Sequence, residues 1–174
     1  MQAIEAKIDV RDLTMAYGDF VIQRDLTFEV ASGDIFIIMG GSGCGKSTLL
    51  RHLVGLKAPA KGRVYYGNTS FWEAQPQEQE KIMRSFGILY QSGALWSSLT
   101  LSENVALPLK EFTNYSDAQV RELVALKLSL VGLAGFEEFY PSEISGGMQK
   151  RAGLARAMAL SLIHLTEPTR QLMS

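Results

Sequence analysis

The stretch Ile35–Leu50, which reads IFIIMGGSGCGKSTLL, constrains the fold more than any other part of this chain. An apolar run ends at Gly40, a turn of small residues follows, and Lys46 opens a segment that can be helical. The spacing Gly40-x-x-x-x-Gly45-Lys46-Ser47 is the phosphate-binding P-loop pattern. Glycines let the backbone bring its N–H groups close to phosphate oxygens, and the start of the following helix adds a partial positive charge. The stretch therefore predicts binding of a nucleotide phosphate.

The P-loop pattern also predicts a role for individual side chains. Lys46 is expected to reach the β- and γ-phosphates, and the Ser47 hydroxyl is expected to be a ligand of Mg²⁺. Cys44, the single cysteine, is interpreted as a small filler residue of the loop. A glycine-rich turn with a surface lysine is the less favoured alternative. The predicted phosphate-binding residues are Gly40, Gly41, Ser42, Gly43, Cys44, Gly45, Lys46, Ser47 and Thr48.

Length and composition limit the remaining possibilities. With 174 residues, the chain is long enough for one domain with a real core and too short for two comfortable ones. A net charge of −1 gives no electrostatic argument for nucleic acid as the main partner. One cysteine excludes a disulfide framework and fits a reducing cytoplasm. No apolar run approaches the roughly 18 residues of a spanning helix, so a partner is expected to supply any membrane span.

Strand-like and helix-like patterns alternate along the chain. The run Ile35–Met39 is apolar without alternation, as in a strand covered on both faces of a sheet, and Phe86–Tyr90 is a second apolar strand. Further strands are predicted over 7–15, 20–30 and 63–66, and helices over 47–56, 75–84, 117–131 and 145–160, with a short helix from residue 102. Ser116 with Gln119 is typical of a capping box. The alternation predicts an α/β fold with a mainly parallel sheet flanked by helices.

A second informative stretch, Ile144–Leu160, reads ISGGMQKRAGLARAMAL. With the P-loop upstream and Gln91 between them, it resembles the ATP-binding subunit of ABC transporters. The residues that match the signature of that family are Ser145, Gly146, Gly147, Met148 and Gln149, with Met148 where glutamine is more usual. The resemblance implies a homodimer that sandwiches ATP, in which the P-loop of one subunit faces the signature of the other. Alone, the stretch is equally explained by a serine N-cap with flexible glycines.

The same resemblance suggests two further nucleotide contacts. Gln91 matches the Q-loop residue that ligates Mg²⁺ and reports the nucleotide state to the membrane subunit. Tyr17 matches the aromatic residue that stacks on adenine, although a turn tyrosine packed on the core is nearly as plausible. The implied fold is a P-loop NTPase with an N-terminal antiparallel β part. One ATP-binding domain is expected over 1–174, with a helical signature subdomain at about 92–160.

The resemblance narrows to the ATPase subunit of Mce/Mla-type lipid transporters. The similar stretches include GILYQSGALWSSLTLSENVALPL and YPSEISGGMQKRAGLARAMAL. The resemblance implies a permease and Mce-type lipid-binding subunits as partners, and a peripheral location on the cytoplasmic face of the bacterial inner membrane. It also places the docking site of a permease coupling helix at Ala94, Leu95, Trp96 and Leu99. Local core packing explains this apolar group equally well.

The resemblance weakens after Leu160. Glu167 matches the general base that activates the attacking water, but Thr166 stands where the family has an aspartate. His164 is not the family's switch histidine, which is expected farther downstream. The chain is therefore expected to be incomplete at its C-terminus, as from a frameshifted or partial gene. The predicted function is ATP hydrolysis that drives transport of lipid or other hydrophobic compounds, and the alternative is a hydrolysis-deficient nucleotide-binding or decoy subunit. A soluble ABC-type ATPase of DNA repair or translation is disfavoured by the near-neutral charge.

Overall fold

The computed structural model describes residues 6–91 and 93–160. The chain separates into two compact units, Met1–Met83 and Arg84–Ser174. The first unit contains the β-sheet and two helices, and the second contains three longer helices. The predicted general base Glu167, with Thr166 and His164, lies outside the described residues.

An antiparallel sheet forms the centre of the first unit. Its strand order is β2-β1-β3-β4, and each neighbouring pair is antiparallel. Val10 on β1 pairs with Phe28 on one side and with Val64 on the other, which confirms the predicted N-terminal antiparallel part. The strands are β1 (Ala6–Tyr17), β2 (Phe20–Ala31), β3 (Lys61–Tyr66) and β4 (Thr69–Ser70).

The first helix packs its apolar side on this sheet. Helix α1 (Lys46–Leu53) buries Leu49 and Leu53, and helix α2 (Pro76–Met83) follows a short 3-10 turn at Phe71–Glu73. The core contains Val10, Leu13, Met15, Leu49, Leu53 and Val64. Helix α1 and the sheet share this core. The segment that precedes α1 is therefore held against the sheet at the point where it enters the helix.

Two predicted strands, Ile35–Met39 and Phe86–Tyr90, are not strands in the structure. Neither is paired in a sheet within the described ranges. Ile35 is 92% exposed and Met39 is 86% exposed, so the prediction of a buried strand is wrong there. An apolar run becomes a buried strand only when neighbouring strands pair with it, and the described sheet does not include this run. Phe36 is anchored by stacking on Phe28, with ring centroids 5.0 Å apart.

Three helices build the second unit, and capping boxes set where two of them begin. The helices are α3 (Leu101–Phe112), α4 (Asp117–Leu130) and α5 (Gly146–Ala157). The predicted capping box of Ser116 and Gln119 is present at the start of α4. Thr100 and Glu103 form a second box, which starts α3 one residue before the predicted position.

Small residues let α5 pack tightly on its neighbours. Ala152 and Ala155 are fully buried in a core with the leucines and valines of α3 and α4. The buried members are Leu101, Val105, Ala106, Leu109, Val120, Val124, Leu128, Leu133, Ala152, Ala155 and Ala159. Among the helices of the described part of the chain, none is long and apolar enough to cross a membrane.

Candidate nucleotide site

The P-loop has a backbone conformation that requires glycine. Gly45 is the N-cap of α1, with φ of 98°, in the left-handed region that side chains rarely adopt. A Cβ at this position would lie 2.7 Å from Ile22 Cγ2 and 3.2 Å from Met15 Cε. The loop therefore turns directly against the β-hairpin, and this close approach fixes where α1 begins.

The N-terminus of α1 is open to an anion. Its N-cap residue, Gly45, has no side chain with which to cap it, and its first turn contains no acidic residue. The backbone N–H groups of that turn and the partial positive charge of the helix end are therefore available to a phosphate. Ser47, the second residue of the helix, is exposed, as a hydroxyl that binds a nucleotide-associated Mg²⁺ must be. These residues fit the predicted ATP and Mg²⁺.

Lys46 is folded back over the loop. Its Nζ donates hydrogen bonds to the carbonyl oxygens of Gly40 (2.7 Å) and Gly41 (2.6 Å). The Sγ of Cys44 lies 3.5 Å from the same Nζ, and the Cys44 side chain is half-buried in the loop, in the position of a filler. The ammonium group is thus held inside the loop, within reach of any anion at the start of α1.

Tyr17, at the end of β1, is held beside the P-loop helix. Its side chain is 45% exposed, and its phenolic oxygen accepts a hydrogen bond from Arg51 (3.3 Å). Hydrogen bonds from Thr48 and Arg51 lower the pKa of the Tyr17 hydroxyl. The Nζ of Lys57 lies 3.7 Å from the centre of the ring. Sequence reasoning missed Arg51 and Lys57, although the spacing of Thr48 and Arg51 places both on one helix face.

The signature-like stretch begins helix α5. The Ser145 hydroxyl accepts a hydrogen bond from the backbone N–H of Met148 (3.3 Å), so it caps the helix, and Gly146 and Gly147 are exposed. Met148 packs against the helical core, and Gln149 Nε2 donates to the Pro141 carbonyl (2.8 Å). The exposed serine and glycines form a second helix N-terminus. The Met148 and Gln149 side chains instead make their contacts within the second unit.

Gln91 is exposed in a turn that is attached to α5. The next described residues, Gly93 and Ala94, have φ of 77° and 49°, both in the left-handed region. The Arg156 guanidinium donates to the carbonyl oxygens of Ala94 (2.8 Å) and Gly93 (3.0 Å). A side chain at Gly153 would lie 2.7 Å from the Gly93 Cα, so the two backbones are in contact. Arg156 and Gly153 join the segment after Gln91 to the signature-like helix, and sequence reasoning missed both.

The loop that follows presents Trp96 to solvent. Buried Asn104 accepts from the backbone N–H of Trp96 (2.8 Å) and donates to the Trp96 carbonyl (3.0 Å). It also donates to the Leu99 and Thr100 carbonyls. Trp96 is 61% exposed, whereas Leu95 packs on the helical core. The predicted docking group thus contains both an exposed aromatic residue and a core residue.

The predicted site residues fall into two groups. Tyr17 and residues 40–48 belong to the first unit, and Gln91 and residues 145–149 belong to the second. Within the first unit, the structure brings the tyrosine, the P-loop and α1 together. The fold and this arrangement define a P-loop nucleotide-binding protein.

Comparison with known proteins assigns the chain more narrowly. Residues 23–170 match the family model described as ABC transporter, and the chain belongs to that family. It is 31% identical to the chain in a structure titled as a dimeric, post-hydrolysis state of the ATP-binding cassette MJ0796 bound to ADP and Pi. The TM-score is 0.80, and the match covers 88% of this chain and 69% of that one. The family resemblance and the α/β P-loop NTPase fold are thereby confirmed.

The curated relatives are named as ATP-binding proteins of transport systems. The chain is 43% identical to the probable ribonucleotide transport ATP-binding protein mkl of Mycobacterium leprae, over 88% of this chain and 44% of the relative. It is 40% identical to the intermembrane phospholipid transport system ATP-binding protein MlaF of Haemophilus influenzae, over 92% and 62%. For MlaF of Escherichia coli, the identity is 37% over 96% and 63%. The chain thus spans between 44% and 63% of the length of these relatives.

Proposed function

We propose that this chain is the ATP-binding subunit of an ABC transporter and that it hydrolyses MgATP. The observation that carries the proposal is the P-loop itself, with the uncapped N-terminus of α1 and the Lys46 ammonium at the same place. Backbone N–H groups and one cation are what a triphosphate needs for recognition. A solved relative bound to ADP and Pi supports this assignment.

The remaining roles follow from the family. Ser47 and Gln91 would each be a ligand of Mg²⁺, adenine would stack on Tyr17, and Glu167 would activate the attacking water. Ser145, Gly146 and Gly147 of a second copy complete the site at the γ-phosphate, and the dimeric structures of MJ0796 support such an assembly. When bound, Mg²⁺ neutralises charge on the phosphates, while Lys46 and the N–H groups of α1 orient them.

The transported compound is proposed to be a lipid. Two of the relatives described above are named for intermembrane phospholipid transport, and their identity of 37% to 40% extends over more than nine-tenths of this chain. Partners are then an ABC permease and lipid-binding subunits of the Mce type, with the chain peripheral to the cytoplasmic face of the inner membrane. The exposed Trp96, on a loop fixed by Asn104, is the side chain that we propose contacts the permease.

The test of the catalytic proposal is phosphate release from ATP by the purified chain with its partner subunits. We expect Mg²⁺-dependent release that falls to background in Lys46→Ala, because that variant loses the only side-chain cation of the P-loop sequence. Lys81→Ala, at an exposed lysine of α2, is the matched control and should retain activity. Binding of ATP without phosphate release by the folded chain would contradict the ATPase assignment.

A further inference from the structure

The side chain of Lys57 covers one face of the Tyr17 ring. Its Nζ lies 3.7 Å from the ring centre, which is the geometry of a cation–π contact. The backbone N–H and C=O groups of Lys57 each make a hydrogen bond that holds the residue in place. Its N–H donates to the Arg51 carbonyl (3.2 Å), and its own carbonyl lies 2.5 Å from Nδ1 of fully buried His52. The lysine is therefore positioned by the C-terminal end of α1.

The orientation of the tyrosine comes from the same helix. Arg51 donates a hydrogen bond to the phenolic oxygen (3.3 Å). Helix α1 thus carries at its N-terminus the groups that face a phosphate, and along its length a group that orients the ring. The Tyr17 side chain is still 45% exposed, so a large part of it is open to a ligand.

We propose that Lys57 determines affinity for the nucleobase by occupying one face of Tyr17 and leaving the opposite face for an adenine ring. The proposal rests on the proposed function, in which Tyr17 is the base-stacking residue. A cation above one face draws π-electron density towards itself, and the opposite face then offers a better surface for an electron-rich purine. Lys57 also keeps that ring rigid, which lowers the ordering cost of binding.

The test compares two probes, MgATP and inorganic tripolyphosphate, on the full chain. Lys57→Met keeps the length of the side chain and removes its charge. A cation–π contact at a partly exposed site corresponds to about a two- to fivefold change in affinity, so we expect MgATP binding to weaken by that factor. Tripolyphosphate has no base, and its affinity should not change.

Two controls separate this role from a general one. Lys61→Met, at an exposed lysine of β3, should leave both affinities unchanged. In a Tyr17→Leu background, Lys57→Met should have no further effect on MgATP binding, because the ring through which it acts is gone. Circular dichroism of each variant confirms that the chain is folded.

Several outcomes would overturn the proposal. Tighter MgATP binding by Lys57→Met would mean that the lysine occupies the face that the base needs. An equal loss for tripolyphosphate would mean that Lys57 acts on the phosphates. Unchanged MgATP binding by Lys57→Met, with normal binding by the parent chain, would overturn this proposal alone. Failure of the folded parent chain to bind MgATP would overturn the proposed function as well.

Discussion

Replacing Arg156 by methionine is expected to release the segment that follows Gln91 from the signature-like helix α5. Arg156 is a half-buried residue of α5 whose guanidinium donates to the carbonyl oxygens of Gly93 and Ala94. Methionine fills similar space along the helix but donates no hydrogen bond. The substitution therefore removes the two hydrogen bonds to this segment and leaves the packing of α5 largely intact.

The size of the effect follows from the contacts. Two hydrogen bonds from a charged group in a partly exposed position are worth about 1 to 2 kcal/mol each. Ala94 has a φ of 49°, and a non-glycine residue in that conformation costs about 1 kcal/mol, which the freed segment recovers. The net loss is about 1 to 3 kcal/mol of local stability, which corresponds to a roughly 5- to 150-fold larger population of the locally open state.

Amide hydrogen exchange of the full chain measures this opening. Peptides covering residues 86–95 should exchange faster in Arg156→Met, while peptides from the middle of α4 should not change. Arg151→Met is the matched control, because Arg151 donates from the same helix to the carbonyls of Val131 and Gly132 instead. Its effect should be confined to residues near 131–133.

The reasoning is refuted if exchange of the segment after Gln91 is unchanged in Arg156→Met, or if Arg151→Met accelerates it equally. A second variant provides an independent check with the opposite sign. Ala94→Gly adopts the left-handed conformation without strain, and it should slow opening of this segment.

Two further predictions concern buried polar side chains of the second unit. Asn104→Ala removes an amide that bonds the backbone of Trp96, Leu99 and Thr100, so it should lower the free energy of unfolding by about 2 to 4 kcal/mol. Urea unfolding followed by Trp96 fluorescence in a Trp72→Phe background measures this, and an unchanged midpoint would contradict it. Burial lowers the pKa of Lys127 to about 8 from the ordinary 10.5, although its Nζ donates to the Met158 carbonyl. Because the unfolded chain binds more protons between these values, unfolding free energy should rise with pH from 8 to 10.5. Lys127→Met should reduce that rise, and an identical pH slope in both proteins would count against it.

Local signals predicted local structure well in this chain. The capping box at Ser116 and Gln119 acts within one turn, so its residue types were enough to place the start of α4. The strands β1 and β2 were likewise predicted from the apolar patterns of residues 7–15 and 20–30, whereas their antiparallel arrangement was implied by the family resemblance. In contrast, Ile35–Met39 has the composition of a buried strand, but pairing depends on other strands, and its exposure could not be deduced from its own residues.

The missed parts of the site depend on contacts between distant residues. Arg156 follows Ala94 by 62 positions, and no periodicity in either segment indicates that they meet. Lys57 reaches Tyr17 only because α1 packs on the sheet whose strand β1 ends at that tyrosine. The P-loop was recognisable since its glycine spacing reflects a backbone requirement, visible in the left-handed Gly45. Supporting side chains carry no such pattern.

The central claim, that this P-loop binds ATP, is tested most directly by titrating MgATP into the full chain and into Lys46→Ala. The account predicts saturable binding by the parent chain that is competed by ADP. Lys46→Ala should bind at least about tenfold more weakly, since a charge-assisted contact to phosphate is worth about 1.5 to 3 kcal/mol. Equal affinity of the two proteins, or no binding by a folded parent chain, would contradict the account.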